Sequence, residues 1–368
     1  MNFKIILFAN TLWFIEKFKF DLVKTLSKNN KIECIYLREG PPCNMPNIRL
    51  LKNNKVKFKR LNLINFISLF FRQFFYAKKQ DYRILVFTIT SILISQLIFF
   101  AQKKNILYVL EGLGRVFSSR NLSYRLLKRF LILLYKIIFY GSKGVVTLNH
   151  SDATLLAKFK IAKINKIFTI PGTGLDISQS KIDFIKKFYK PKYIDYVARL
   201  IDDKGYYAFV NTKKYINRHL PSLNANHLFR IITPYQDIKN LDKDELIFLK
   251  QEGIVLMPYL DEPNQYYKNT SVLIIPTTYG EGLSRVLLES IFFGIPVLVS
   301  RNIGTEELLP HDYEYFLLSL NPAIVANQLN DLIKNKEKCI KKIKKQKNII
   351  LNNYSSKASI KAFFEIIK

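Results

Sequence analysis

The chain has 368 residues, 49% of them hydrophobic, with 58 Lys and Arg against 28 Asp and Glu and a formal net charge of +30. That length exceeds what one hydrophobic core organises, so two domains are expected, each able to bury a core of its own. Three cysteines, Cys34, Cys43 and Cys339, are odd in number, widely spaced and without a C-x-x-C pair, which argues against a disulfide framework or a structural zinc site and fits a reducing cytoplasm.

The start, MNFKIILFAN, has a short apolar run without a small-residue cleavage site, and Glu16, Lys17 and Lys19 soon follow. It reads as a first buried strand, with no export signal. Short apolar runs then alternate with helix-like segments: IECIYL, VKFKRLNL, an aromatic helix around INFISLFFRQFFYA, and RILVFT. This alternation predicts parallel strands joined by crossover helices. Residues 84–101 approach the roughly 20 apolar residues that span a bilayer, but Thr88, Thr90, Ser91, Ser95 and Gln96 interrupt them. Strand, turn and buried helix are expected there.

After NILYVLEG, residues 112–151 contain no acid, while Arg115, Arg120, Arg125, Lys128, Arg129, Lys136 and Lys143 all fall among aliphatic and aromatic residues. On a helix over 121–140, Arg125, Arg129 and Lys136 share one face, and Leu127, Leu131, Leu134 and Ile138 line another. Such a helix suits anionic lipid, and Arg125, Lys128, Arg129 and Lys136 are expected to face it, each basic group contributing about 1 kcal/mol. The total charge alone allows nucleic acid as well, but no helix-turn-helix, RRM motif or paired metal ligands accompany it.

GVVTLN and IFTIPGTG close the first series, and a second opens at YIDYVARL and runs through FRIIT, GIVLMPY, VLIIPTTYGEG and IPVLVS. The expected fold class is α/β, with two Rossmann-like halves facing each other across a cleft and ligands at the carboxyl ends of the strands. The boundaries are drawn at 1–174 for the N-terminal domain, 175–192 for the connection, 193–350 for the C-terminal domain, and 351–368 for a helix packing back toward the first domain. The lysine-rich stretch from Lys334 to Lys347 reads as a solvated helix face.

The segment TTYGEGLSRVLLESIFFGIPVLVS is the most informative. Pro276 closes a buried strand, Gly280 and Gly282 allow a tight turn, and the apolar pattern from Leu283 to Phe293 starts a helix. Glu281 then sits in the turn with Glu289 on the helix behind it, roughly 12 Å away at the helical rise. Amides at Gly282, Leu283 and Ser284 would face a phosphate. In VARLIDDKG a strand delivers Arg199 to its carboxyl end and Lys204 opens the next helix, two cations able to neutralise a diphosphate. A D-x-D at Asp242 and Asp244 reads as the first turn of a surface helix, so no divalent metal and no other cofactor is expected.

The segment E-G-L-S-R-V-L-L-E resembles the signature of retaining glycosyltransferase family 4, a Glu, seven residues and a second Glu, and that family carries an Arg and a Lys where this chain has Arg199 and Lys204. The resemblance implies the GT-B fold and hexosyl transfer from a nucleotide-sugar, with UDP as the first choice. Glu281 would contact the donor sugar and Glu289 the nucleotide ribose. NTLWFIEKF, VLEGLGRVFSS, VVTLNHSDATLLAKF and IPGTGLDI are similar to the branch that extends polyprenyl-diphosphate-linked sugars in surface polysaccharide or protein glycan synthesis. By that likeness Asn10, Trp13, Gly112 and Gly114 fall in acceptor or cleft loops, and the enzyme works as a cytoplasmic protein held at the inner face of the membrane. Many members carry a His just before the glycine at Gly112, whereas this chain has Glu111. A GT-B transferase with a soluble acceptor and a basic nucleic-acid-binding protein stand as the alternatives.

Overall fold

The computed structural model describes residues 4–40, 56–76, 82–118, 122–172, 174–175, 192–260, 264–278, 282–310 and 312–367. Contacts divide the chain into two units, one of Met1–Gly174, Glu281–Leu283 and Ser356–Lys368, the other of Leu175–Gly280 and Ser284–Ser355. Of the connection expected at 175–192, only Leu175 and Lys192 are described; Cys43 also lies outside the described residues.

The first unit is built on seven strands: β1 (Lys4–Thr11), β2 (Lys31–Arg38), β3 (Val56–Arg60), β4 (Tyr82–Phe87), β5 (Ile106–Leu110), β6 (Gly144–Thr147) and β7 (Ile167–Thr169). They lie in the order β3-β2-β1-β4-β5-β6-β7, all parallel. Its helices are α1 (Leu12–Phe18), α2 (Phe20–Leu26), α3 (Leu63–Tyr76), α4 (Ile89–Ile98), α5 (Arg115–Ser118), α6 (Leu122–Phe139) and α7 (His150–Lys158). Alternate residues of β1 enter different cores. Ile5, Leu7 and Ala9 pack with α1 and α2, while Ile6 and Phe8 pack with α3, α4 and α6, as a period of two on a sheet covered on both faces requires.

Residue 84–101 form β4 and then α4, which buries Ser91, Ile92, Ser95 and Ile98. The helix expected to be buried is only half so, because Ile89, Leu93 and Leu97 point outward. Among the described residues no helix is long and apolar enough to cross a membrane.

The second unit has β8 (Tyr193–Val197), β9 (Leu228–Thr233), β10 (Ile254–Pro258), β11 (Thr270–Ile275), β12 (Val297–Ser300) and β13 (Phe316–Leu317), in the order β10-β9-β8-β11-β12-β13 and again parallel. Its helices are α8 (Tyr206–His219), α9 (Pro221–Asn226), α10 (Tyr235–Lys239), α11 (Lys243–Gln251), α12 (Asn264–Tyr267), α13 (Arg285–Phe293), α14 (Ile303–Glu306), α15 (Pro322–Lys334) and α16 (Lys336–Asn353). Asp195 of β8 is fully buried and accepts from Arg230 Nε at 2.9 Å, Arg230 Nη2 at 2.7 Å and Thr270 Oγ1 at 2.5 Å, which ties the three central strands together. Burial pushes its carboxyl pKa up, and Arg230 opposes that shift.

A last helix, α17 (Ser356–Ile367), groups with the first unit. Ser359 Oγ donates to Gly172 O at 2.7 Å, and Ile367 O accepts from Lys143 Nζ at 2.7 Å.

Candidate functional site

In both sheets the strand order reverses direction once, between β1 and β4 in the first and between β8 and β11 in the second. Loops leave such a reversal in opposite directions and open a crevice at the carboxyl ends of the two strands, where α/β proteins bind ligands.

In the second unit the loop after β8 carries Arg199 and then a 3₁₀ turn, Asp202–Lys204. Lys204 ends that turn and does not open the following helix, as the sequence had suggested; Gly205 stands between it and α8 with φ of 77°. A Cβ on Gly205 would lie 2.2 Å from Pro276 O, so glycine alone lets this turn rest on the end of β11. Asp203 O then accepts from Thr278 N at 2.9 Å and Thr277 Oγ1 at 3.1 Å, which stitches the two loops together. The loop after β12 joins them through Asn302 Nδ2 to Thr277 O at 3.4 Å. Arg199 is thus held at the reversal by its backbone, its carbonyl accepting from the Tyr196 hydroxyl at 2.7 Å. Its side chain is 63% exposed, with Nε only 3.8 Å from Asp237 Oδ2, and Lys204 is half-buried. Both cations are therefore within reach of a ligand at the carboxyl edge.

Helix α13 starts at Ser284, whose side chain accepts from Leu287 N at 3.4 Å, and ends at Gly294 in the left-handed region. Glu289 is 7% exposed and accepts from the Tyr267 hydroxyl at 2.9 Å and from Arg285 Nε at 3.0 Å. Both carboxylate oxygens are thereby oriented. Tyr267 is fully buried, and its phenol is pushed well above the usual range by burial and then by the Glu289 charge. The four-residue spacing of Arg285 and Glu289 was readable as a helix pair; Tyr267, 22 residues upstream on α12, carried no such signal. Glu281 and Gly280 lie outside the described residues. Gly282 and Leu283 group with the first unit, where Gly282 O accepts from Asn149 Nδ2 and a Cβ on Gly282 would fall 2.4 Å from Glu111 O.

At the reversal of the first sheet, Asn10 is the penultimate residue of β1, its Oδ1 buried and without a hydrogen-bond partner among the described residues. Thr88, at the end of β4, has φ of 69°, a conformation that stores strain in a residue other than glycine. Trp13 lies half-buried in the first turn of α1, its backbone N–H donating to Glu39 O at 3.0 Å and its ring edge-on to Phe18. Gly112 and Gly114 follow β5 with φ of 141° and 71°. Just before them Glu111 Oε1 lies 2.8 Å from Lys19 Nζ, whose side chain is 2% exposed and rests over the Phe87 and Phe14 rings at 4.8 and 5.3 Å. An acid at position 111 neutralises a lysine that would otherwise be buried alone. The sequence hid this pair, because its members stand 92 residues apart.

On α6 the exposed face carries Arg125 and Arg129, but also Leu126, Phe130, Leu133 and Ile137. The inner face is set by Tyr135, Ile138 and Phe139; along the apolar stripe Ile138 is buried, Leu131 and Leu134 are half-buried, and Leu127 is 42% exposed. Lys136 is half-buried. Lys128 departs from its expected position: it turns inward, donates to Phe117 O at 3.3 Å, and lies over the Phe117 and Phe159 rings. Asp242 caps α11 by accepting from Glu245 N at 2.7 Å, with Asp244 in the first turn, as their setting suggested.

Residues 191–335 match the family described as Glycosyl transferases group 1. The chain is 23% identical over 235 residues to the capsular polysaccharide biosynthesis glycosyltransferase CapM of Staphylococcus aureus, and the match spans 60% of each chain. HepE of Anabaena, solved with UDP and glucose, superposes with a TM-score of 0.71 at 14% identity over 99% of this chain and 98% of that one. A glycosyltransferase of Rickettsia africae superposes with a TM-score of 0.73 at 14% identity, over 100% and 98% of the two chains. The chain therefore has the GT-B fold of two Rossmann-like units, and its second unit bears the sequence pattern of Glycosyl transferases group 1.

Proposed function

We propose that the protein is a retaining hexosyltransferase, moving a hexose or N-acetylhexosamine from a UDP-sugar to a polyprenyl-diphosphate-linked saccharide in surface polysaccharide or glycan synthesis. The observation that carries this reading is the reversal of the second sheet, where Arg199 and Lys204 stand on a loop stitched to the end of β11, with the oriented carboxylate of Glu289 on the helix that follows. CapM, by its name, serves capsular polysaccharide synthesis, which supports a surface-polysaccharide role, and HepE was solved with UDP and glucose, which supports a UDP-sugar donor.

In this reading the acceptor hydroxyl attacks the anomeric carbon on the face from which the diphosphate departs. The bond from that carbon to the phosphate oxygen breaks, the glycosidic bond forms, and the hydroxyl proton passes to the leaving phosphate. Arg199, as a forked donor, and Lys204, as a point charge, stabilise the negative charge developing on the diphosphate, an effect of several kcal/mol for well-placed donors. They take the part that a divalent metal plays elsewhere, so no metal is required. Glu289 fixes the ribose, Ser284 starts the helix beside the phosphates, and Glu281 contacts the transferred sugar. The first unit holds the acceptor, with Asn10, Trp13, Gly112 and Gly114 at its carboxyl edge. The protein works at the inner face of the cytoplasmic membrane.

The test is incubation of purified protein with bacterial lipid extract and a panel of UDP- and GDP-sugars, with and without EDTA, followed by measurement of nucleotide diphosphate release. Lipid-dependent UDP release that survives EDTA and falls in Glu281→Gln and Arg199→Ala is expected. Turnover only with water-soluble acceptors would overturn the lipid-linked assignment, and silence with every donor would overturn the catalytic one.

A further inference from the structure

Helices α3, α4 and α6 cover the same face of the first sheet, contributing Leu69, Ile92 and Ile138 to one core; α3 packs on α4, and α4 on α6. Their outward sides are apolar too. Ile64 and Ile67 of α3 are 77% and 47% exposed, Leu97 of α4 is 61%, and Phe130 of α6 is 60%. The next residue after α4 but one, Phe100, is 71% exposed. In the second unit the exposed large apolar residues, such as Tyr207, Leu228, Tyr235, Ile247 and Leu318, are spread over different helices, strands and loops, which is ordinary for a protein surface. Contiguous apolar surface on one face of one unit marks an interaction site.

The charge on this face narrows the partner. None of the three helices contains an Asp or Glu, and between residues 61 and 150 the sequence has only Asp81 and Glu111. Arg125 and Arg129 stand exposed on α6 among its outward leucines. A water-facing helix side normally mixes both signs of charge. Apolar side chains flanked by cations alone suit a bilayer with anionic headgroups, where the side chains enter the acyl boundary and the guanidinium groups meet the phosphates.

We propose that α3, α4 and α6 together form one docking face that seats the first unit on an anionic bilayer, with α6 as its basic margin and α3 and α4 extending the apolar contact. The proposal rests on the membrane placement given above and names the surface that achieves it. Lys128 is excluded from this face because its ammonium is turned inward.

The experiment uses the full chain and vesicles of phosphatidylcholine with or without phosphatidylglycerol, read by co-sedimentation in the absence of donor and acceptor. Binding to anionic vesicles at least tenfold tighter than to neutral ones is expected. Arg125→Gln with Arg129→Gln should weaken it about 30-fold, as the loss of two surface cations implies, and Leu97→Ser with Phe100→Ser should weaken it by about 100-fold, while Lys128→Gln leaves it unchanged. UDP binding by each variant confirms a folded protein. Equal binding to both vesicle types, or indifference to the Leu97 and Phe100 substitutions, overturns the proposal. So does a stable dimer in solution that the same substitutions dissociate, since a second copy would then cover the face. Vesicle binding reads docking alone, and turnover of a short-chain soluble acceptor reads the transfer chemistry alone, so either can fail without the other.

Discussion

The two units share a strand order through their first six strands, yet they place charge and apolar surface in opposite ways. In the second unit the apolar side chains are mostly inside and two cations, Arg199 and Lys204, stand on the carboxyl edge. In the first unit the carboxyl edge holds a charge pair, Lys19 with Glu111, and apolar side chains cover the outside of three helices. A Rossmann-like topology fixes where loops gather and leaves their content free. In the proposed reading one unit uses the common frame to hold a phosphorylated ligand, and the other to meet a lipid surface and its attached substrate.

The comparison is sharpest in the buried ion pairs. Asp195→Ala would leave Arg230, whose side chain is 6% exposed, without its counter-charge in the middle of the second sheet, held only by Tyr266 O, Met257 Sδ and the Tyr193 ring among the described residues. A loss of about 3–5 kcal/mol is expected, measured by urea unfolding followed by circular dichroism. Next comes the edge itself. Arg199→Ala and Lys204→Ala should each lower kcat about 100-fold with little change in unfolding midpoint, because both side chains stand outside the core. A midpoint shift as large as that of Asp195→Ala would show that these cations serve the fold instead.

In the first unit, Glu111→Gln should cost about 1–3 kcal/mol in the same unfolding experiment, less than Asp195→Ala. The Glu111 side chain is 24% exposed, so water can reach the pair and soften the loss. Equal costs would erase the distinction between a pair in the sheet and one at its edge. The smallest effect belongs to Tyr267→Phe, which removes one hydrogen bond to Glu289 and keeps the ring. UDP affinity should fall several-fold, about 1 kcal/mol, by isothermal titration. An unchanged affinity would mean that Arg285 alone orients the carboxylate.

Much of this was legible because strands and crossover helices announce themselves locally. Runs such as KIILFANT and TSVLII are buried on both faces and must be nearly continuous in apolar residues. The segment after β11 was equally open to reading, since its glycines, its helix pattern and Glu289 lie within a few residues of one another. Strand β13 was missed because Phe316–Leu317 is too short to show a period. Which side of α6 meets the sheet was not readable, because helical spacing shows which residues lie together but not which of them turn inward. Leu126, Leu133 and Ile137 are as apolar as the residues that turned inward.

By itself, then, the sequence determined the α/β class, the two sheet-forming series and the placing of Arg199 and Lys204 in the loop after β8, because each depends on side chains close together in the chain. Only the tertiary structure decided the partnership of Lys19 with Glu111 and of Tyr267 with Glu289, the inward turn of Lys128, and the apolar face shared by three helices. These depend on which elements the fold brings side by side, and packing against a common sheet sets that proximity irrespective of separation along the chain.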